Sequence, residues 1–311
     1  MSHLSIIIPT LNAQAHVDAF CVALASQSRQ PDRLLVLDSS SEDGSAALWR
    51  QRGFEVINIP RGEFDHGGTR NLGARLAADA GGPGIAVFLT QDAIMANPAT
   101  LAALIEPLED GRAAACFGRQ LPSAGASNAE RYARYFQYRA QSVLRSSKDL
   151  ETPGVRAVRF SNVCSAVRLD KFWSVGGFPE RTILNEDMLL AAKLLKAGEQ
   201  VCYAASAEVI HSHDYSWKQQ FRRNFDIGVS FSDAGELLEG VRTGGEGLQF
   251  AAGQLAYLRR LGKPDEMVPA AADLGARWLG FQLGRRHHFW PRSLKKRLSM
   301  HSYYWDQKRK K

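Results

Sequence analysis

The sequence predicts an α/β protein, with a mostly parallel central sheet followed by a helical C-terminal extension. Three observations carry this. Four short apolar runs lie in the first ninety residues, separated by helix-compatible stretches. Each run ends at a proline or at polar residues, and strand signals become few after about residue 215. Continuous apolar strands alternating with helical segments belong to a parallel sheet covered on both faces.

Taken in order, Leu4-Ser5-Ile6-Ile7-Ile8 is a β-branched strand closed by Pro9, followed by a polar turn and a helix-compatible stretch to Ser28. Residues 33–37 form a second strand ending at Asp38, residues 54–59 a third stopped by Pro60, and residues 85–89 a fourth ending at Thr90-Gln91-Asp92. Asn97-Pro98 suits a helix start, as cap and first-turn proline. Ala113–Phe117 is a fifth strand, Asn128–Lys148 a helix with Tyr132, Tyr135, Phe136 and Tyr138, and Val158–Val167 a further strand. Asn185-Glu186-Asp187 opens a helix that Gly198 is placed to end, and Val201-Cys202-Tyr203 is a short strand leading to His211. This divides the chain into an α/β domain, 1–215, and a helical basic region, 216–311.

Several classes are excluded. No apolar run approaches the roughly 20 residues that cross a bilayer. The N-terminus enters a strand almost at once, without a charged leader, which reads as cytoplasmic. Cys21, Cys116, Cys164 and Cys202 stand far apart with no C-x-x-C spacing, so buried thiols are expected rather than a zinc site. No Gly-x-Gly-x-x-Gly follows the first strand and no Gly-Lys-Ser/Thr occurs, against dinucleotide-binding and P-loop folds. The net charge of +7 is concentrated: residues 216–311 hold 18 Lys/Arg against 9 Asp/Glu, leaving 21 against 23 in residues 1–215. Its densest stretch runs from Arg285-Arg286 through Lys295-Lys296-Arg297 to Lys308-Arg309-Lys310-Lys311, beside Phe289, Trp290, Tyr303, Tyr304 and Trp305. That composition suits contact with an anionic membrane surface. A recognised nucleic-acid-binding motif is lacking.

Four polar groups stand at strand ends or helix starts, where open α/β sheets bind ligands. Asp92 ends a buried strand, fit for a hard divalent cation such as Mg²⁺; taken alone it reads first as an ordinary strand-end or helix-cap aspartate. Asp187, with Glu186, starts a helix, where a carboxylate can act as a base or simply complement the dipole. His211 and His213 alternate on an extended segment; a neutral imidazole suits Mn²⁺, and His211 is favoured for metal. Asp38 can accept hydrogen bonds from a base or ribose, or merely cap a turn. Together these point to sugar transfer from a nucleotide donor.

With these residues assembled, the chain resembles the family 2 inverting glycosyltransferases of GT-A fold, and among them bacterial rhamnosyltransferases of O-antigen and surface-polysaccharide assembly. The matching segments are Ser5-Ile6-Ile7-Ile8-Pro9-Thr10-Leu11-Asn12, Phe64-Asp65-His66-Gly67-Gly68-Thr69-Arg70-Asn71-Leu72-Gly73-Ala74, Thr90-Gln91-Asp92-Ala93, Gly176-Gly177-Phe178, Asn185-Glu186-Asp187 and His211-Ser212-His213-Asp214-Tyr215. The likeness runs from residue 4 to about 228.

The resemblance implies roles. Pro9, Thr10, Asn12 and Asp38 would lie at the nucleoside, and Arg70, Asn71 and Gln91 near the nucleotide. Asp92 and His211 would hold Mg²⁺ or Mn²⁺, with Gln91 standing where the family often has an aspartate. Asp187 would be the base beside Glu186. Trp173, Gly177 and His213 would lie on the acceptor side. The donor would be a nucleotide sugar, dTDP-L-rhamnose first, and the acceptor a glycan or lipid-linked sugar. Gln219-Gln220-Phe221-Arg222-Arg223 lacks the tryptophan of processive members, so transfer of one or a few sugars is expected. A different UDP- or GDP-sugar donor, or a non-catalytic sugar- or lipid-binding scaffold on the same fold, are the alternatives. Acceptor, linkage and oligomeric state are not legible.

Overall fold

The computed structural model describes residues 2–79, 84–151, 154–238 and 244–306. β1 (His3–Thr10), α1 (Gln14–Ala25), β2 (Arg33–Asp38), α2 (Ser45–Gln51), β3 (Glu55–Asn58), α3 (His66–Ala78) and β4 (Gly84–Leu89) alternate as expected. Their strands pair in parallel in the order β3-β2-β1-β4. Successive side chains of a strand point to opposite faces. In β1, Ile6 and Ile8 join Val17 and Phe20 of α1 on one face, while Ile7 joins Ala74 and Ala77 of α3 on the other. Burial of both faces is why these strands read as unbroken apolar runs.

Beyond β4 the sheet becomes mixed. It continues through β5 (Ile94–Met95), α4 (Thr100–Glu109), β6 (Ala115–Leu121), α5 (Asn128–Gln137), β7 (Val143–Arg145), β8 (Cys164–Arg168), α6 (Leu169–Ser174), α7 (Glu186–Lys196) and β9 (Val201–Ile210). The full order is β3-β2-β1-β4-β8-β6-β9-β5, with β7 on β9. β8 runs antiparallel to both β4 and β6, whereas β6 and β9 pair in parallel over the longest register. That register shifts between Gly118 and Arg119, where a Cβ on Gly118 would stand 2.4 Å from the carbonyl oxygen of Ala207. Cys116, Cys164 and Cys202 are buried thiols on neighbouring strands.

Four local readings are corrected. The helix from Asn128 stops at Gln137, and residues 143–145 of that stretch pair as β7 with β9. The strand expected over Val158–Val167 is confined to 164–168, since 155–158 is a 3₁₀ turn and Asn162 is drawn to the acidic start of α7. The strand at Val201 extends to Ile210. Asn97 precedes α4 rather than capping it; its side chain accepts from the Ala99 N–H, and the helix begins at Thr100.

The C-terminal region is helical: α8 (Trp217–Asp233), α9 (Gly244–Arg260), α10 (Met267–Arg285) and α11 (Arg292–Leu298). α8 opens on a full capping box between Ser216 and Gln219. It meets α10 backbone to backbone: a Cβ on Gly228, Gly280 or Gly284 would lie 2.3, 2.3 or 2.0 Å from the carbonyl oxygens of Phe281, Phe221 and Phe225 respectively. Much of the aromatic tail turns inward. Trp290, Tyr304 and Trp305 pack with Ile183, Phe225 and Val229, while Phe289 is 81% exposed. Lys308-Arg309-Lys310-Lys311 lie outside the described residues. Among the described residues no helix is long and apolar enough to cross a membrane.

Candidate active site

The carboxyl ends of β1, β4 and β9, the start of α7 and one face of α8 surround a single cleft of about 880 Å³. The α8 face is Gln220, Arg223, Asn224, Ile227 and Phe231, a helical spacing that turns Phe225 and Val229 to the core instead.

At one end stand Asp92, His211 and His213. The Asp92 Oδ2 lies 3.1 Å from His213 Nε2 and 3.5 Å from His211 Nε2, and the two imidazole nitrogens are 3.1 Å apart. β6 sets this arrangement. The Leu121 carbonyl accepts from the His211 N–H, and Gln120 Oε1, 3.1 Å from His211 Nδ1, fixes the ring. Arg134 also donates to Gln120 Oε1, and its Nε donates to Glu130 at 2.6 Å. Tyr215 stacks on His213 with 5.2 Å between ring centroids. Burial alone would raise the Asp92 carboxyl, but hydrogen bonds from both histidines hold it well below the usual carboxylate range. Burial pushes His211 down, against the pull of Asp92. One ionised carboxylate and two imidazoles, their ligand atoms within 4.8 Å of one another, fit a divalent cation. The two nitrogens make the set better suited to Mn²⁺ than to Mg²⁺. His213, expected on the acceptor side, thus stands with Asp92 and His211.

In the same cleft, Asn185 takes a left-handed backbone (φ 67°) and starts α7. Consecutive helical side chains diverge by about 100°, so Glu186 turns inward and Asp187 lines the cleft. Glu186 Oε1 receives Arg70 at 3.1 Å and Asn162 Nδ2 at 3.1 Å. Burial opposes its charge, but Arg70 keeps it below the ordinary range. Asp187 accepts the N–H of Asn162 (3.1 Å) and of Met188 (2.7 Å). Burial, then the Glu186 charge, pushes its carboxyl up to about 7, the range in which a carboxylate can take a proton near neutral pH.

Pro9, Thr10, Arg70 and Gln91 also line the cleft. Gln91 bonds Leu11 reciprocally, its Oε1 accepting at 2.8 Å and its Nε2 donating at 3.1 Å. An aspartate there could accept but not donate. The remaining sequence candidates do not line the cleft and shape its frame. Asp38 accepts from Ser41 Oγ (2.5 Å), Ser41 N (3.0 Å) and Thr10 Oγ1 (3.4 Å), so both oxygens serve the turn. Asn12 holds that turn through the Glu42 N–H. Asn71 clamps the Phe178 backbone in both directions. Gly177 (φ 65°) has no room for a Cβ, which would meet Asn71 Oδ1 at 2.8 Å. Trp173 packs on Phe172 under Arg75, in the layer behind the cleft.

Sequence reading passed over Gln120, Arg134, Asn162, His66, Tyr303 and the α8 face. Their roles come from contacts across long stretches of chain; only the 3–4 spacing of the α8 residues carried a local signal.

The model of glycosyl transferase family 2 matches residues 5–166. The O-antigen chain rhamnosyltransferase RfbN of Salmonella typhimurium is 36% identical over 305 residues, 97% of this chain and 96% of that protein. WbaN of Salmonella anatum, another O-antigen chain rhamnosyltransferase, is 36% identical over 98% of this chain and 96% of its own. Among solved structures, the mannosyltransferase PcManGT of Pyrobaculum calidifontis, in complex with GDP-Man and Mn²⁺, superposes with a TM-score of 0.57 at 17% identity, covering 98% of this chain and 88% of its own.

Proposed function

The chain belongs to glycosyl transferase family 2 and is a glycosyltransferase of GT-A fold, and from that premise we propose that it transfers L-rhamnose from dTDP-L-rhamnose to a glycan or lipid-linked acceptor in O-antigen assembly. The choice of rhamnose is supported by the two relatives, both named rhamnosyltransferases. The observation that most supports the chemistry is the pairing of two unlike carboxylates on one cleft. Asp92 stands ionised with two imidazoles, and Asp187 is poised near 7.

In this reading residues 1–215 carry the transfer, and residues 216–311 add a cleft wall and a membrane-facing surface. Asp187 takes the proton of the acceptor hydroxyl as its oxygen attacks the anomeric carbon. The bond to the diphosphate breaks with its electron pair leaving on phosphate, and the anomeric configuration inverts. Asp92, His211 and His213 would hold Mn²⁺ or Mg²⁺, whose charge stabilises the departing diphosphate. Burial and the Glu186 charge raise the proton affinity of Asp187, against the pull of Arg70.

Peripheral membrane contact is supported by α10 more than by the tail. Its outer face carries Val268, Trp278 and Leu279, then Arg285 and Arg286, and Phe289 follows. Asp273 and Arg277 pair with each other at 2.6 Å as partly buried side chains. Trp278→Glu with Phe289→Glu should reduce binding to phosphatidylglycerol vesicles; equal binding would remove this surface as an anchor.

Calorimetry with dTDP-L-rhamnose, UDP-glucose, UDP-galactose and GDP-mannose, with and without Mn²⁺, tests the function. Metal-dependent preference for the rhamnose donor is expected. Preference for another donor would replace the sugar and keep the mechanism, and binding of none would overturn the enzymatic reading.

A further inference from the structure

We propose that the C-terminal strap, residues 299–306, is part of the active site: Tyr303, with Phe64 and His66, forms the subsite for the acceptor sugar, and Asp226 is the positioning residue that seats it. The identification of the ligand as acceptor rests on the glycosyltransferase reading above.

Asp226 lies on α8 and is fully buried. Its Oδ2 accepts the Met300 N–H at 2.9 Å and the His301 N–H at 3.0 Å, and lies 3.0 Å from His301 Nδ1. One carboxylate oxygen thus fixes where the chain turns after α11. Trp305 then packs into the core beside Phe225 and Val229, and Asp306 pairs with Arg292 and Lys296. Between these anchors Tyr303 is carried to the cleft, where it is 39% exposed.

Its neighbours form an aromatic corner. The Phe64 ring is 6.4 Å from Tyr303 and 5.0 Å from His66, and His301 lies 5.8 Å from Tyr303 and 5.3 Å from His66. Phe64, His66 and Tyr303 all line the cleft. The His66 Nε2 is buried there without a hydrogen-bond partner among the described residues. Burial lowers His66 to about 4, so it stands as a neutral imidazole with one donor and one acceptor. Rings that can stack on C–H faces, beside an unpartnered imidazole, match a sugar.

The corner also lies on the base side of the cleft. Arg70 donates to the His66 carbonyl at 2.9 Å and pairs with Glu186, next to Asp187. The charges facing Tyr303 are the carboxylates of Asp65, Asp226 and Glu186. Of the nearby cations, Arg70 is engaged with Glu186, Arg223 lies over the Tyr215 ring, and Arg61 lines the cleft beside Phe64. The carboxylates nearest the ring suit sugar hydroxyls, and an acceptor hydroxyl must reach Asp187.

The test uses the full chain with dTDP-L-rhamnose as donor and methyl glycosides of galactose, glucose, mannose, N-acetylglucosamine and rhamnose as acceptors. Tyr303→Ala should raise the acceptor KM about tenfold, the loss of one aromatic contact, while the donor Kd measured by calorimetry stays within about twofold. Asp226→Asn should raise acceptor KM in the same sense, again without weakening the donor. A weakened donor Kd with unchanged acceptor KM would overturn the proposal, as would no change in either. If the wild-type protein transfers no sugar from any donor, the functional reading fails separately. The corner is then tested by saturation-transfer NMR of the same methyl glycosides. Binding to wild type that is lost in Tyr303→Ala supports it, and equal or absent binding overturns it.

Discussion

Two positions on one cleft carry the same functional group in opposite conditions. Asp92 and Asp187 are both aspartates set just beyond β4 or at the start of α7, and burial acts on both to disfavour ionisation. At Asp92 two imidazoles bond the carboxylate and reverse that effect. At Asp187 the nearest charge is another carboxylate, Glu186, which adds to it. The cation that could relieve Asp187, Arg70, is 3.1 Å from Glu186 instead. Burial acts alike on both, and the neighbours decide which carboxyl is held ionised and which is raised.

The contrast can be broken most severely at Asp187. Asp187→Asn should lower kcat by about 10²–10⁴-fold with donor binding by calorimetry retained; full turnover would mean that another group takes the proton. Asp92→Ala should weaken metal-dependent donor binding at least about tenfold to a hundredfold, the range for removing even an outer partner of a metal ligand. Unchanged metal dependence in a titration with Mn²⁺ would separate Asp92 from any cation. Glu186→Gln sharpens the comparison. The wild-type pH–rate profile should show an acid limb near 7, because the protonated Asp187 cannot accept a proton. Removing the Glu186 charge should move that limb about one pH unit lower.

The smallest effect is on stability. A carboxyl raised in the folded state favours the protonated form. Its contribution is complete below the unfolded-state value near 3.8 and is lost as pH rises through about 7. Asp187→Asn has no such loss, so at pH 8 it should melt about 2 °C or more above wild type, with the gap narrowing at pH 5. A constant difference across that range would show that Asp187 is not perturbed.

What the sequence made legible follows from how local the signal is. β1, β2 and β4 are buried on both faces, so their apolar runs identify them without knowledge of neighbours. β7 is three residues, two of them exposed, in a polar stretch, and exists because β9 offers it an edge. Asp92, Asp187 and His211 stood out because each ends a strand or starts a helix. The companions of these residues did not. Asn162 meets Glu186 across 24 residues, Gln120 meets His211 across 91, and Asp226 meets His301 across 75. Such partners are chosen by topology, and no spacing announces them. Trp173 and Gly177 lie close in sequence to the base yet pack behind it, because the Phe172–Phe178 turn folds against α3 rather than into the cleft.

The glycine seam between α8 and α10 has a consequence for how such an enzyme changes its preferences. Gly284 and Gly280 meet the α8 backbone closely, which lets α8 sit where Arg223, Asn224 and Ile227 form the wall. A single methyl at Gly284, 2.0 Å from the Phe225 carbonyl oxygen, would push that whole wall as a unit. Selectivity in this scaffold is therefore adjustable by inheritance from outside the cleft. Substitutions on α10 would act as a width setting for the cleft while every residue that lines its α8 wall stays the same.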